Sequence, residues 1–398
     1  MTEDDRAIDP RQGRAVEVFA AFLPLGFTAF GGPVAHLGFF RTAFVERRGW
    51  LGDAAYADLV ALCQFLPGPA SSQVGMAIGL QRAGYLGLLA AWTAFTLPSA
   101  VVLAAFGMLI AVVDVGAAAG WLVGLKAAAA AVVAHALLGM AASLAATRER
   151  AVIAGAATVA MLVAPAPQLM QLGVILAGAL AGLALPVPEA ATEDHTPRAP
   201  VGRRLGALAL AGFFLLLVLL PALAAWGPAL DLLDRTYRAG ALVFGGGHVV
   251  LPLLQGEMEG LVSPDAFLAG YGAAQAVPGP LFTFAAFLGA VAEPFGGPAG
   301  AAVALIGIFL PSVLLVVGIM PYWDALRRAT WARRALAGVN AAVVGLLAAA
   351  FWDPVIVQGV RTDGALALAV AAFVALRHLA VPPWAVVAAA GALGGALL

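Results

Sequence analysis

Gln64-Phe65-Leu66-Pro67-Gly68-Pro69 and Gln275-Ala276-Val277-Pro278-Gly279-Pro280 lie in the middle of two long apolar stretches and share one pattern. Proline and glycine inside an apolar helix free backbone groups that hydrocarbon cannot satisfy, so such breaks persist only where they pack in protein or line a cavity. Working outward, Phe30-Gly31-Gly32 recurs as Phe244-Gly245-Gly246, Leu97-Pro98-Ser99 as Leu310-Pro311-Ser312, and Gly124-Leu125-Lys126 aligns with Gly338-Val339-Asn340. The matches keep their order at a shift of roughly 211 to 214 positions. An ordered set of this kind marks a duplicated chain.

The 398 residues are 63% hydrophobic and only 11% charged, against about 25% charged in a soluble domain. A globule in water could not cover this much apolar sequence, whereas a bilayer removes that requirement. The expected fold is all-α and polytopic, because the runs are continuous and rich in Ala and Leu, without the alternation of a membrane barrel. The polar start, Met1 to Arg14, is no signal peptide in this reading. A net charge of −1 says nothing about partners, and the lone Cys63 excludes a disulfide framework or a cysteine-built metal site.

The first repeat is read as 1–186, followed by a polar linker at 187–204. An extra apolar segment at 205–227 comes next, and then the second repeat at 228–398. Apolar runs fall at Val16 to Phe40, Ala54 to Leu80, Tyr85 to Val113, Ala117 to Ala146, Val152 to Ala164 and Leu169 to Leu185. In the second half they fall at Leu232 to Leu254, Ala266 to Val291, Gly297 to Met320, Ala335 to Trp352, Ala365 to Leu376 and Trp384 to Leu397. Equivalent loops carry opposite charge. Arg41, Arg47 and Arg48 face Glu257, Glu259 and Asp265; a loop without Lys or Arg after Asp114 faces Arg327, Arg328, Arg333 and Arg334. The positive-inside rule then turns the halves upside down relative to each other, with 205–227 as the inverting crossing. Keeping Arg41, Arg48 and Arg82 on the side of the N-terminus favours broken segments that enter and leave on one side. Nine crossings plus four hairpins result, against thirteen full crossings.

Pro33, Pro69 and Pro280 each follow a glycine, and proline is favoured where a helix begins. A helix start aims free N–H groups and about half a positive charge at an anion. Gly31, Gly32, Gly68, Pro69, Gly245, Gly246, Gly279 and Pro280 therefore mark an expected anion site near the midplane. Ser71, Ser72 and Thr283 add hydroxyls, Gln64 and Gln275 add amides, and His36 and His248 follow the glycine breaks. Lys126, with Asn340 at its repeat position, is the sharpest single residue, because an ammonium inside an apolar run costs several kcal/mol unless it meets an anion, a carboxylate or an interface. His135 lies about two and a half turns further on and reads as a packed or cavity histidine that could carry protons.

Phe30-Gly31-Gly32-Pro33, Val45-Glu46-Arg47-Arg48-Gly49-Trp50-Leu51, the Gln64 to Pro69 break and Leu97-Pro98-Ser99 together resemble the chromate ion transporter family, in its long two-domain form. The second half departs from the pattern at Glu257 to Ser263, which has no Arg and no Trp. The resemblance implies export of chromate, a tetrahedral dianion, across the bacterial plasma membrane, with resistance as the outcome. A second reading is a sulfate or oxyanion uptake or exchange carrier that takes chromate by accident. The expected partners are chromate or sulfate and the lipid bilayer, with a homodimer allowed and no nucleic acid. No cofactor and no metal are expected, and neither an enzyme nor an ATP-driven pump, since the chain has no ligand cluster, no paired intramembrane carboxylates and no P-loop. Transport is expected to rock one half against the other around the fixed site.

Overall fold

The computed structural model describes residues 13–112, 120–163, 167–186, 201–244 and 247–398. Those residues are almost wholly helical, and no strand occurs among them. The first repeat contains α1 (Ala15–Thr28), α2 (Gly32–Phe40), α3 (Asp53–Phe65), α4 (Ala70–Val112), α5 (Gly120–Leu144), α6 (Arg148–Val163) and α7 (Pro167–Gly182). After the linker, α8 (Arg203–Leu223) leads to α9 (Pro228–Leu242), α10 (Val250–Met258), α11 (Pro264–Ala274), α12 (Phe284–Val291) and α13 (Gly297–Ile319). The chain closes with α14 (Trp323–Arg328), α15 (Thr330–Ala350), α16 (Val357–Gly359), α17 (Asp363–Arg377) and α18 (Pro383–Leu397). Ala70–Ala111, Gly120–Leu144, Arg203–Trp226, Gly297–Arg328 and Thr330–Gly359 are long and apolar enough to cross a membrane. Their outward faces carry large apolar side chains such as Leu109, Leu138, Phe214, Val218 and Ile306, as lipid contact demands.

The broken segments are hairpins. Arg82 pairs with Glu17 at 3.0 Å and lies 5.1 Å over the Trp50 ring. The start of α1, the stretch that leads into α3 and the end of 70–82 therefore meet at one point. Thirteen residues of α3 and as many of α4 in line would part Trp50 from Arg82 by about 40 Å. The second half closes the same way. Arg235 donates to the Glu257 carbonyl at 2.8 Å, tying α9 to the end of α10. The Glu293 N–H donates to Leu261 O at 3.0 Å, at the positions equivalent to Arg82 and Trp50.

α4 is not a single rod either. Gly84, at φ 65 and ψ −154, folds it back so that Gly79 and Gly87 touch. A Cβ on either would overlap the other's carbonyl. Gly289 and Gly300 repeat that contact around Gly297, at φ 65. Small residues set the other close contacts as well, as in membrane helix pairs generally. Gly26 sits on Ala94 and Gly240 on Ile308, joining α1 to α4 and α9 to α13.

The repeats interlock. Gly120 and Gly124 of α5 press on Gly394 and Ala390 of α18, and Gly338 of α15 presses on Gly178 and Gly182 of α7. A helix of each repeat thus packs in the other repeat's outer pair. Rigid rocking of one sequence half against the other would have to open both seams.

Candidate functional site

The tips of the hairpins meet across the repeats. The Gly68 N–H donates to Val243 O at 2.7 Å, and the Gly279 N–H donates to Ala29 O at 2.9 Å. Gly68 holds φ 121 and Gly279 φ 96, a region closed to other residues at low cost. Ser312 packs directly on Gly68 and Ser99 on Gly279, so each Leu-Pro-Ser motif supports the other repeat's break. Gln73, which the sequence did not single out, donates from Nε2 to Pro67 O at 2.7 Å and to Ser312 Oγ at 3.3 Å.

Around these tips lies a cavity of about 860 Å³. All four breaks line it: Gly31, Gly32, Pro33 and Val34; Gln64 to Leu66, Gly68 and Ala70; Gly247; and Gln275, Val277, Gly279 and Leu281. His135 and Ser143 of α5 and Asn340 of α15 complete its polar lining. Three buried atoms among these groups have no hydrogen-bond partner: Gln275 Nε2, Asn340 Oδ1 and His135 Nδ1. Unpartnered buried polar atoms are rare in native proteins, and each calls for a reason. They belong to residues that line the cavity, although the three atoms themselves are closed off from it. Among the described residues that line the cavity there is no Lys, Arg, Asp or Glu.

The expected site is only partly assembled here. Gly31, Gly32, Gln64, Gly68, Gln275, Gly279 and Asn340 line the cavity. The N–H groups of Gly68 and Gly279, expected to be free for an anion, are spent on the carbonyls named above. Pro69 and Pro280 do not line it. They stand one residue before the helical turns that begin at Ala70 and Leu281, so their role is to end the extended link. Ser71 accompanies His36, whose Nδ1 lies 3.2 Å from Ser71 Oγ and whose Nε2 lies 3.1 Å from Ala29 O. That pair ties α2 to α4 away from the cavity. Thr283 donates to Pro280 O at 2.8 Å, and Ser72 is buried outside the lining. Gly245, Gly246 and the His248 side chain lie outside the described residues.

Lys126 departs most from expectation. Its ammonium lies 2.9 Å from Asp265 Oδ1, with Arg361 at 4.0 Å from the same carboxylate, and it does not line the cavity. The carboxylate stands outside the apolar run, two elements into the other repeat, where sequence adjacency could not show it.

A helical membrane protein of repeated halves, with a polar cavity enclosed by their broken helices, has the build of a membrane transporter. The chain belongs to the chromate transporter family, whose pattern matches residues 16–183 and 230–395. It is a multi-pass protein of the bacterial plasma membrane. It is 28% identical over 353 residues to the chromate transport protein of Pseudomonas aeruginosa, covering 85% of this chain and 80% of that one. It is 28% identical over 348 residues to a probable chromate transport protein of Synechococcus elongatus, covering 83% and 81%. The uncharacterized transporter YwrB of Bacillus subtilis is 29% identical over 167 residues, which cover 40% of this chain but 83% of that protein. No solved structure matches.

Proposed function

We propose that this protein moves chromate out of the cytoplasm by alternating access, with one dianion held in the cavity between the hairpin tips. The single observation that carries this is the shared cavity, lined by the amide of Gln64 from one repeat and those of Gln275 and Asn340 from the other, beside helix starts. Chromate has oxygen on every side, and a site with donors on several walls suits it.

The lining supports this direction. On α5 the cavity touches Val132 to Leu144, and on α15 only Leu336 and Asn340. Those are the ends next to Arg148, Arg150, Arg333 and Arg334. The positive-inside rule puts that face in the cytoplasm, so the cavity loads from inside. The basic rim also draws anions toward it. The same rule orients the hairpin bases, Arg41, Arg48 and Arg82 against Glu257, Glu259 and Glu293, on opposite faces. On this reading 1–186 and 228–398 are inverted repeats joined by the linker 187–204 and the crossing 205–227, and a relative of half length is one repeat on its own. The moving bodies are α5 with α17 and α18, and α15 with α6 and α7; their swing keeps the α5–α18 and α7–α15 seams closed and parts α5 from α11 at Gly272 and at the Lys126–Asp265 pair.

The test is flux in proteoliposomes holding the purified full chain in known orientation. Chromate should leave the compartment facing the Arg148 surface and accumulate on the other side. Sulfate movement in the opposite direction, with chromate carried only in competition, would establish the uptake carrier instead.

A further inference from the structure

The cavity is shut on one side and open on the other, and the repeats show which contacts do the shutting. The two Pro-Gly-Pro breaks make α3 the counterpart of α11, and Gly124-Leu125-Lys126 with Gly338-Val339-Asn340 makes α5 the counterpart of α15. α11 packs closely on α5. Gly272 is buried there against the Leu125 carbonyl, where a Cβ would come within 2.5 Å of the oxygen. Across the same contact the buried Lys126 reaches Asp265 at 2.9 Å. The counterpart helices α3 and α15 form no such contact. Ala61, at the position of Gly272, is exposed, and it lines the cavity together with Asn340, at the position of Lys126.

The shut side faces away from the basic rim. Along α5 the cavity runs from Val132 to Leu144, toward Arg148. Lys126 lies about 9 Å before Val132, and Asp265 about 14 Å before Ala274, the lining end of α11. Asp265 is 32% exposed, so water on the acidic side of the protein reaches the pair.

We propose that the Lys126–Asp265 pair is the latch of an outer gate between α5 and α11, and that the inner gate is the repeat-related closure of Ala61 on α15 at Val339 and Asn340. This rests on the function proposed above and names the contacts that alternate. When α5 parts from α11, an ammonium is left unpaired in an apolar run, which is costly. The packing of α3 on α15 is the gain that offsets this cost. Arg361, 4.0 Å from the Asp265 carboxylate and more than half exposed, keeps that carboxylate paired once Lys126 lets go. On the inner side Asn340 and Ala54 stand at the positions of Lys126 and Asp265 and bring no charge. The two gates therefore differ in strength, and the chain rests with its inner side open.

The test reads sidedness. A cysteine at Ala136, which lines the cavity, in a chain with Cys63→Ala, should react with impermeant maleimide chiefly in inside-out vesicles. Asp265→Asn keeps an acceptor for Lys126 but removes the charge. It should shift the ratio of reaction toward right-side-out vesicles by about tenfold or more. Ala61→Phe fills the open inner gap and props it. It should confine reaction to inside-out vesicles and stop chromate flux in proteoliposomes. A merely structural pair would change the amount of folded protein and not the side from which the cysteine is reached. An Asp265→Asn chain labelled like its parent, or an Ala61→Phe chain that carries chromate at the parent rate, would overturn the gates while leaving the carrier standing. A parent cysteine reached as readily from outside as from inside would overturn them too. A wild type without chromate flux would overturn both the gates and the function they serve.

Discussion

At the scale of single residues, glycine and serine do the holding, and the sites where only glycine fits are testable. At Gly68 a methyl group would meet Ser312 Oγ and Gln73 Nε2, and φ 121 adds strain of its own. Gly68→Ala should lower stability by about 2–4 kcal/mol and abolish flux. Adding Ser312→Ala should restore about 1 kcal/mol by relieving the overlap but not the dihedral, which thermal unfolding in detergent would read. No recovery would mean that the serine does not press on the glycine. Lys126 gives the second residue test. Lys126→Met leaves Asp265 facing apolar helix and Arg361 alone, a cost of about 3 kcal/mol or somewhat less, since the carboxylate is a third exposed. Lys126→Met with Asp265→Leu should recover both stability and chromate resistance. A double variant as inactive as the single would return Lys126 to the anion site.

At the scale of elements, the hairpins are the main structural claim. A short bismaleimide should join cysteines placed at Trp50 and Arg82, and another pair at Leu261 and Glu293, in a chain with Cys63→Ala. Failure at both pairs would mean that the broken segments run straight through. The sequence showed where these elements break because Gly and Pro act locally, through dihedral limits and a missing N–H. Arg82 also hinted at the return, since charge must end near water. What the residues could not display was who accepts the freed N–H groups. Gly68 and Gly279 look like open donors when read alone, yet each meets a carbonyl more than 170 positions away. The same limit hid the carboxylate beside Lys126. His135 was readable as polar in an apolar helix, but its facing depends on the rotation of α5 against α17 and α18, which an Ala-rich run does not fix.

At the scale of the whole molecule, two interlocked repeats enclose one cavity from both sides. Charge asymmetry in the loops, legible in the sequence, carries the orientation proposed above. A single cysteine at Arg48 should therefore react with impermeant maleimide only in inside-out vesicles, and one at Glu259 only in right-side-out vesicles. Reaction of both from one face would refute the inversion. The glycine seams between α5 and α18 and between α7 and α15 bind helices of different repeats, something no pattern of repeats could announce. The claim on which the rest depends is that both repeats build one anion site. Equilibrium dialysis of radioactive chromate against the purified full chain tests it most directly, for wild type, Gln64→Ala and Gln275→Ala with Asn340→Ala. The account predicts one chromate per chain and a loss of about tenfold in affinity from changes in either repeat. Two chromates per chain, or a loss confined to one repeat's variant, would contradict it.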